Sequence, residues 1–398
     1  MNILMRRLLV PGITVVALLF LFSFAVRGAD TLPGQLTDDE FWKLVETSSE
    51  PSGSFLSENF TSNENGFQMV IPSLLQSTRP NGVYLGVGPE QNFTYIVAMH
   101  PKIAFIIDIR RQNLIEHLLY KAIFEMADNR ADFLSLLFSC SRPMGLTNAS
   151  SIDTMLNAYL KAYRNGKFDG PLFRSNLKSI TERIVDKHGF KLSDEDLESI
   201  DHVYSVFNVY GPEINYNSRY PAMTRGNNNY QGANFTTVMV AADPAGQQRG
   251  FLASEENYRA LRDYELKNLI VPVVGDFGGP AAIKAVGQYL KNHGATVSAF
   301  YTSNVEQYLF RPAAVNLNAG RGVQLINGGA GSFYNNVASL PIDEASVFIR
   351  SGVPAPNGAG SANYMNNSQI APIQATLDAY VAGTIVVYQD IFKIRKPE

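Results

Sequence analysis

Two short apolar runs, residues 83–85 and 103–107, frame the most regular pattern in the chain. The first ends in Gly86-Val87-Gly88-Pro89 and the second on Asp108, and the spacing between them predicts a helix over about 90–100. Strand, glycine turn, helix, strand and terminal carboxylate, in that order, is how a doubly wound sheet opens around a nucleotide-like ligand. Glycines let the backbone approach such a ligand, and the helix start offers unpaired N–H groups and a positive dipole end. A carboxylate ending the next strand can take both hydroxyls of a ribose. Gly86 and Asp108 lie 22 positions apart, close to the separation of about 20 expected for that geometry.

The pattern extends in both directions. Upstream, Leu36-Thr37-Asp38-Asp39-Glu40-Phe41 predicts a helix start, with Thr37 and Glu40 in a capping box and Leu36 and Phe41 at staple positions. Trp42, Leu44 and Val45 give that helix its apolar face, and Pro51 stops it. A polar connection over 57–65 leads to a helix-like piece at 69–75. It either folds over the ligand mouth, with Asn59, Asn63 and Glu64 reaching in, or is a solvated loop. Downstream, residues 110–127 carry a helical spacing that opens on Arg110 and Arg111. Arginine is unfavourable in a first turn, so the pair either meets an anion or pairs with Glu116 or Asp128.

Residues 145–235 read as a helical insertion. Helices are expected over 176–188, capped by Gly189, and from Ser193 onward, with Leu197, Ile200, Tyr204 and Phe207 as a core stripe. The turn-rich stretch 225–232 is a surface loop or a lid. The α/β pattern resumes with strands at 236–241, 268–274 and 296–301 and helices at 255–267 and from Pro280 to Gly294. Pro272 argues against a central place for its strand. The strand ends carry Gly275-Asp276-Phe277-Gly278-Gly279 and Thr302-Ser303-Asn304. Short strands at 323–326 and 347–349, a loop over 351–367 and a helix over 373–385 complete the chain. The predicted fold class is therefore α/β: a Rossmann-like, doubly wound, mostly parallel sheet with a helical insertion and an N-terminal signal or anchor helix. Its divisions are 1–29, the leader; 30–78, a helical segment; 79–144 and 236–350, the two halves of the sheet domain; 145–235, the insertion; and 351–398, a C-terminal loop and helix.

Composition narrows the function classes. With 33 Lys+Arg against 36 Asp+Glu in 398 residues, the formal net charge of −3 gives no basic face for nucleic acid. Cys140 is the sole cysteine, which removes internal disulfides and thiolate metal clusters. The histidines, at 100, 117, 188, 202 and 293, form no HExxH pattern, so no metal site is expected. Arg6-Arg7 followed by an apolar run over 8–26 predicts an export signal or a membrane anchor, with the main domain outside the cytoplasm. Ala25, Gly28 and Ala29 permit cleavage of that leader, and Arg27 opposes it.

In open parallel sheets the ligand sits beyond the carboxyl ends of the strands. The candidate cofactor contacts there are Gly86, Gly88, Pro89, Glu90, Asn92, Asp108 and Arg110, and Asp276 and Asn304, at later strand ends, are the candidate catalytic residues. The first β-turn-α unit and its acidic second strand resemble the class I S-adenosylmethionine-dependent methyltransferases over about thirty residues. The wording GVGPEQNFTYI…IDIRRQN is also similar to an uncharacterised bacterial family with a methyltransferase-like fold, over most of residues 36–350. The methyltransferase resemblance implies Gly86 and Gly88 against the cofactor's amino-acid part and Asp108 on its ribose. It also implies Asp276 near the transferable methyl group. Glu90 departs from it by standing where a third glycine is usual, and Tyr84 by replacing an acidic residue. No Asn/Asp-Pro-Pro-Tyr sequence supports transfer to an amino group. A hydrolase ranks last, since Ser254, Ser303 and Ser332 lack a GxSxG context. Two expectations result: a methyltransferase-like enzyme of unknown acceptor, or an exported binding protein that does no chemistry. The bland alternative is a turn that only redirects the chain, with Asp108 capping a helix. Compartment divides the two expectations, because S-adenosylmethionine is made in the cytoplasm and the leader points outside.

Overall fold

A computed structural model describes residues 30–164, 170–218, 233–310, 314–315, 325–326, 329–352 and 368–395. The expected leader at 1–29, the loop at 225–232 and most of the stretch 351–367 fall outside these residues. The N-terminal part holds α1 (Asp38–Ser48) and α2 (Ile71–Ser77). The expected capping box opens α1: Glu40 N–H donates to Thr37 Oγ1 at 3.2 Å and Thr37 N–H to Glu40 Oε2 at 2.8 Å.

The sheet domain opens with β1 (Val83–Gly86), α3 (Gln91–Met99), β2 (Ile103–Asp108) and α4 (Arg111–Met126). The insertion follows as α5 (Arg130–Phe138), α6 (Ile152–Arg164), α7 (Gly170–Glu182), α8 (Asp194–Tyr210) and α9 (Phe235–Met239). Then come α10 (Glu255–Leu266), β3 (Ile270–Val274), α11 (Ala282–Asn292), β4 (Val297–Ser303) and α12 (Val305–Leu309). A two-residue pair, β5 (Ala314–Val315) with β6 (Leu325–Ile326), precedes α13 (Ala330–Ala338), β7 (Val347–Ser351), β8 (Ser368–Pro372) and α14 (Ile373–Val381).

The six-stranded sheet runs β3-β2-β1-β4-β7-β8, parallel except for β8 against β7. The chain builds outward from β1 to β2 and β3, then returns to the other side of β1 with β4. The topological switch point therefore lies between β1 and β4. β1, β2, β3 and β7 are buried along their whole lengths, which is why β1, β2 and β3 read as apolar runs rather than alternating ones; β7 instead buries Arg350, paired with Glu306 of α12. β3 occupies an edge, as Pro272 requires. The end of α1 covers that edge: Glu50 N–H donates to Val274 O at 2.8 Å and Val274 N–H to Ser49 Oγ at 3.1 Å.

Three details differ from expectation. Residues 236–241 form no strand; the Asn234–Thr237 capping box starts the short helix α9 there, and the β-branched run Thr236-Thr237-Val238 sits on helical backbone. The sheet instead gains β8, whose Ser368-Gln369 start reads as polar loop. The final helix stops at Val381, followed by Gly383 at φ +71°. The insertion shares one core with the sheet: Phe93 of α3 meets Tyr120, Phe124 and Phe251 edge-on, and Tyr120 meets Phe207 of α8. Ile200, Tyr204 and Phe207 are buried as expected, while Leu197 is partly exposed.

Candidate functional site

A cleft of about 580 Å³ opens beyond the carboxyl ends of β1, β2, β3 and β4. Its floor comes from Val87 and Gly88 after β1, Asp108 to Arg110 after β2, Gly275 to Phe277 after β3, and Ser303 to Val305 after β4. The segment that precedes α2 forms the roof, with Phe55, Asn59, Ser62, Asn63 and Glu64 on the lining. Of the two expectations for that segment, the structure takes the one in which it folds over the mouth.

Side chains buried beneath the roof hold it there. Thr61 Oγ1 and Ser62 N–H donate to Glu90 Oε1 at 2.5 and 3.1 Å. Arg110 Nη1 donates to Glu58 O, and Ser57 Oγ to Tyr216 O at 2.9 Å. Ser303 and Ser351, which end β4 and β7, donate their hydroxyls to the two oxygens of Glu64. Phe55 meets Tyr308 edge-on with ring centres 5.0 Å apart.

The predicted ligand residues divide into two groups. Gly88, Asp108, Arg110, Asp276 and Asn304 line the cleft; Gly86, Pro89, Glu90 and Asn92 do not. Asn92 is fully buried and spends its polar atoms on the turn. Its Nδ2 lies 2.9, 3.1 and 2.7 Å from the carbonyls of Val87, Gly88 and Pro89, and its Oδ1 accepts from Tyr84 Oη at 2.8 Å. A Cβ on Gly86 would stand 2.0 Å from that Oδ1. Gly86 is thus a glycine to admit Asn92, and Tyr84 replaces an acid because it is the partner of Asn92. Gly88 is different: its φ of +78° calls for glycine, and its backbone faces the cleft. Beneath the turn, His117 Nε2 donates to Gly88 O at 3.0 Å, and burial holds the imidazole neutral by lowering its pKa to about 4.

Glu90 is turned into the protein, where burial raises its pKa to about 7. Its Oε2 has no hydrogen-bond partner among the described residues. In the position of a third glycine, it ties the roof to the start of α3. Asp108 is engaged on both oxygens: Arg110 N–H and Nε donate to Oδ1 at 2.9 Å each, and Arg110 Nη2 to Oδ2 at 2.9 Å. Neither expected partner of the arginines applies. Arg110 pairs with Asp108, and Arg111 with Asp196 of α8 at 2.6 and 2.7 Å. The N–H that donates to Asp108 is that of Arg110, the residue before α4, while Arg111 N–H donates to Ser52 Oγ at 3.0 Å; the helix-capping role weighed for Asp108 from sequence is therefore not what the carboxylate does.

Asp276 follows β3, which β2 separates from β1. It is exposed, and its Oδ1 accepts from Gly278 N–H at 2.8 Å. The strand order therefore sets it beyond Asp108, on the far side of the cleft from the glycine turn. Asn304, after β4, stands on the switch-point side next to the turn. Sequence reasoning did not assign Ser303 or Tyr308 to the site. Ser303 carries φ +52°, a left-handed backbone for a non-glycine residue, which no sequence pattern announced. Glu64 is buried, which raises its carboxyl above the usual range against the opposing pull of Ser303, Ser351 and Tyr301.

With this geometry in place, comparison with known proteins places the chain. The family model of a domain of unknown function, DUF7790, matches residues 59–143 and 147–378. The chain belongs to that family. The DUF7790 match takes in all four strand ends of the cleft, Glu64 of the roof, and β7 and β8 of the sheet. It starts at Asn59, inside the roof, takes in most of residues 36–350, the extent expected for the narrower resemblance, and runs on to residue 378. A search of the curated proteins finds no match.

Proposed function

We propose that this DUF7790 protein is methyltransferase-like and binds S-adenosylmethionine or a related nucleoside ligand in the cleft at the switch point. The observation that carries this reading is the convergence of four parallel strand ends on one roofed cavity of about 580 Å³, well within the range of about 300–1,000 Å³ typical of small-molecule sites. Charge favours a ligand with a positive group. Among the described residues, the charged side chains of the lining are Glu64, Asp108 and Asp276 against the guanidinium of Arg110. S-adenosylmethionine carries an ammonium and a sulfonium, which suits an acidic lining. On this reading Gly88 and Asn304 bound the amino-acid end, and Asp108, held by Arg110, bounds the ribose.

A second reading has its own support. Asp108 spends both oxygens on Arg110, which favours a binding protein that performs no methyl transfer. The apolar run at 8–26 after Arg6-Arg7 supports export or anchoring, with the cleft outside the cytoplasm. The partners on this account are a small molecule and, through residues 8–26, a membrane. Nucleic acid is not among them.

Isothermal titration calorimetry with S-adenosylmethionine tests the shared claim. Saturable heat with a dissociation constant in roughly the micromolar range is expected, and Val87→Trp, which fills the cleft floor, should abolish it. Absence of heat at about 1 mM ligand contradicts the reading. Where binding is seen, methyl transfer to any acceptor eliminates the second reading.

A further inference from the structure

Ser303 stands where a parallel strand turns sharply into a helix. It closes β4, holds φ +52°, and is followed at once by Asn304 and α12. Such a turn lifts a side chain off the end of the sheet and presents it to the crevice above. Ser303 is on the cleft lining, and its hydroxyl donates to Glu64 Oε1. Glu64 is oriented from behind, since its other oxygen accepts from Ser351 at the end of β7. A hydroxyl, a carboxylate that accepts its proton, and a third group that fixes the carboxylate form the arrangement of an activated nucleophile. Nothing in the local sequence Tyr301-Thr302-Ser303-Asn304 signals it, because the turn is made without the flanking glycines of GxSxG.

We propose that Ser303 is a nucleophile and Glu64 its general base, and that the cleft carries out acyl transfer from an ester-class electrophile to water. Ser303 Oγ bonds to the acyl carbon while its proton passes to Glu64 Oε1. The tetrahedral adduct collapses by breaking the bond to the alcohol, which leaves with the proton from Glu64. Water then attacks the acyl-serine, gives its proton to Glu64, and releases the acid as Ser303 recovers its own. Asn304 supplies the amide that meets the developing oxyanion; its Nδ2 lies 3.3 Å from Gln307 Oε1, a long bond that an oxyanion would displace. Burial of Glu64 keeps its basicity above that of an exposed carboxylate and so favours the first proton transfer.

This inference goes beyond the nucleoside-binding reading and does not depend on it: the calorimetry can fail while Ser303 reacts, and the reverse. The test treats the full chain with a fluorophosphonate probe, followed by peptide mass spectrometry and by p-nitrophenyl acetate hydrolysis. Ser303 should take up the probe, and the ester should release a burst of one p-nitrophenolate per chain. Ser303→Ala should lose both, and Glu64→Gln should slow labelling at least about tenfold. Thermal melts of both variants show that each is folded. Three results overturn the proposal: an unmodified wild-type chain, labelling at another serine alone, or labelling of Ser303 at an equal rate in folded Glu64→Gln.

Discussion

The two sides of the cleft are built on opposite principles. On the side of β1 and β2, the residues that most resembled a ligand-binding motif are consumed by the fold. Asn92 holds three carbonyls of the turn, Glu90 holds the roof, and Arg110 holds Asp108. On the side of β4, Ser303 and Asn304 face the cavity with Glu64 above them, and none of the three belongs to a recognisable motif. A glycine turn can thus be kept for its architecture while the reactive groups come from elsewhere. Substitutions on the first side should cost stability, and those on the second should cost chemistry.

The largest effect is expected at Asp108. Its removal leaves the Arg110 guanidinium buried without its partner, so Asp108→Ala should lower unfolding free energy by about 3–5 kcal/mol, measured by urea denaturation. A loss below about 1 kcal/mol would show that the pair is not a structural clamp.

Glu90 predicts a pH dependence. Its folded pKa is raised from 4.5 to about 7, so its stabilising contribution is fully present below about pH 4.5 and is lost as pH rises through about 7, on the order of 3 kcal/mol in total. His117, lowered from 6.5 to about 4, acts in the opposite sense across much of that window. The comparison must therefore be between wild type and Glu90→Gln, in which the His117 contribution cancels. The variant should gain on wild type between pH 5 and pH 8 in parallel denaturation curves, and equal slopes would contradict the burial of that carboxyl.

Gly86→Ala should cost about 1–3 kcal/mol, because the added methyl meets Asn92 Oδ1. Ligand affinity in the folded fraction should be unchanged if Gly86 is architectural, and a selective loss of affinity would return it to the site. The smallest stability effect is expected at Ser303. Ser303→Gly loses one hydrogen bond but relieves a left-handed backbone, so its net change should stay within about 1 kcal/mol. A large destabilisation would make Ser303 another structural residue and erase the contrast between the two sides.

Much of the fold was legible because fully buried parallel strands leave unbroken apolar runs, as at 83–85, 103–107 and 269–274. Pro272 even placed its strand at an edge. The short helix α9 was not legible, since Thr236-Thr237-Val238 favours a strand and only the cap at Asn234 decides otherwise. The general place of the cleft followed from the switch-point rule. The roles of Glu90 and Asn92 did not, because a side chain turned inward and one turned toward ligand share the same sequence position. Ser303 was passed over for want of flanking glycines, and its backbone angle is set by the packing of β4 and α12.

A crystal structure grown with S-adenosylmethionine decides whether the switch-point cleft is a nucleoside site. Ligand density is expected beneath Asn59 and Asn63, between Gly88 and Asn304, with the ribose edge toward Asp108. Density at any other place on the molecule, with this cleft filled only by solvent, would contradict that expectation.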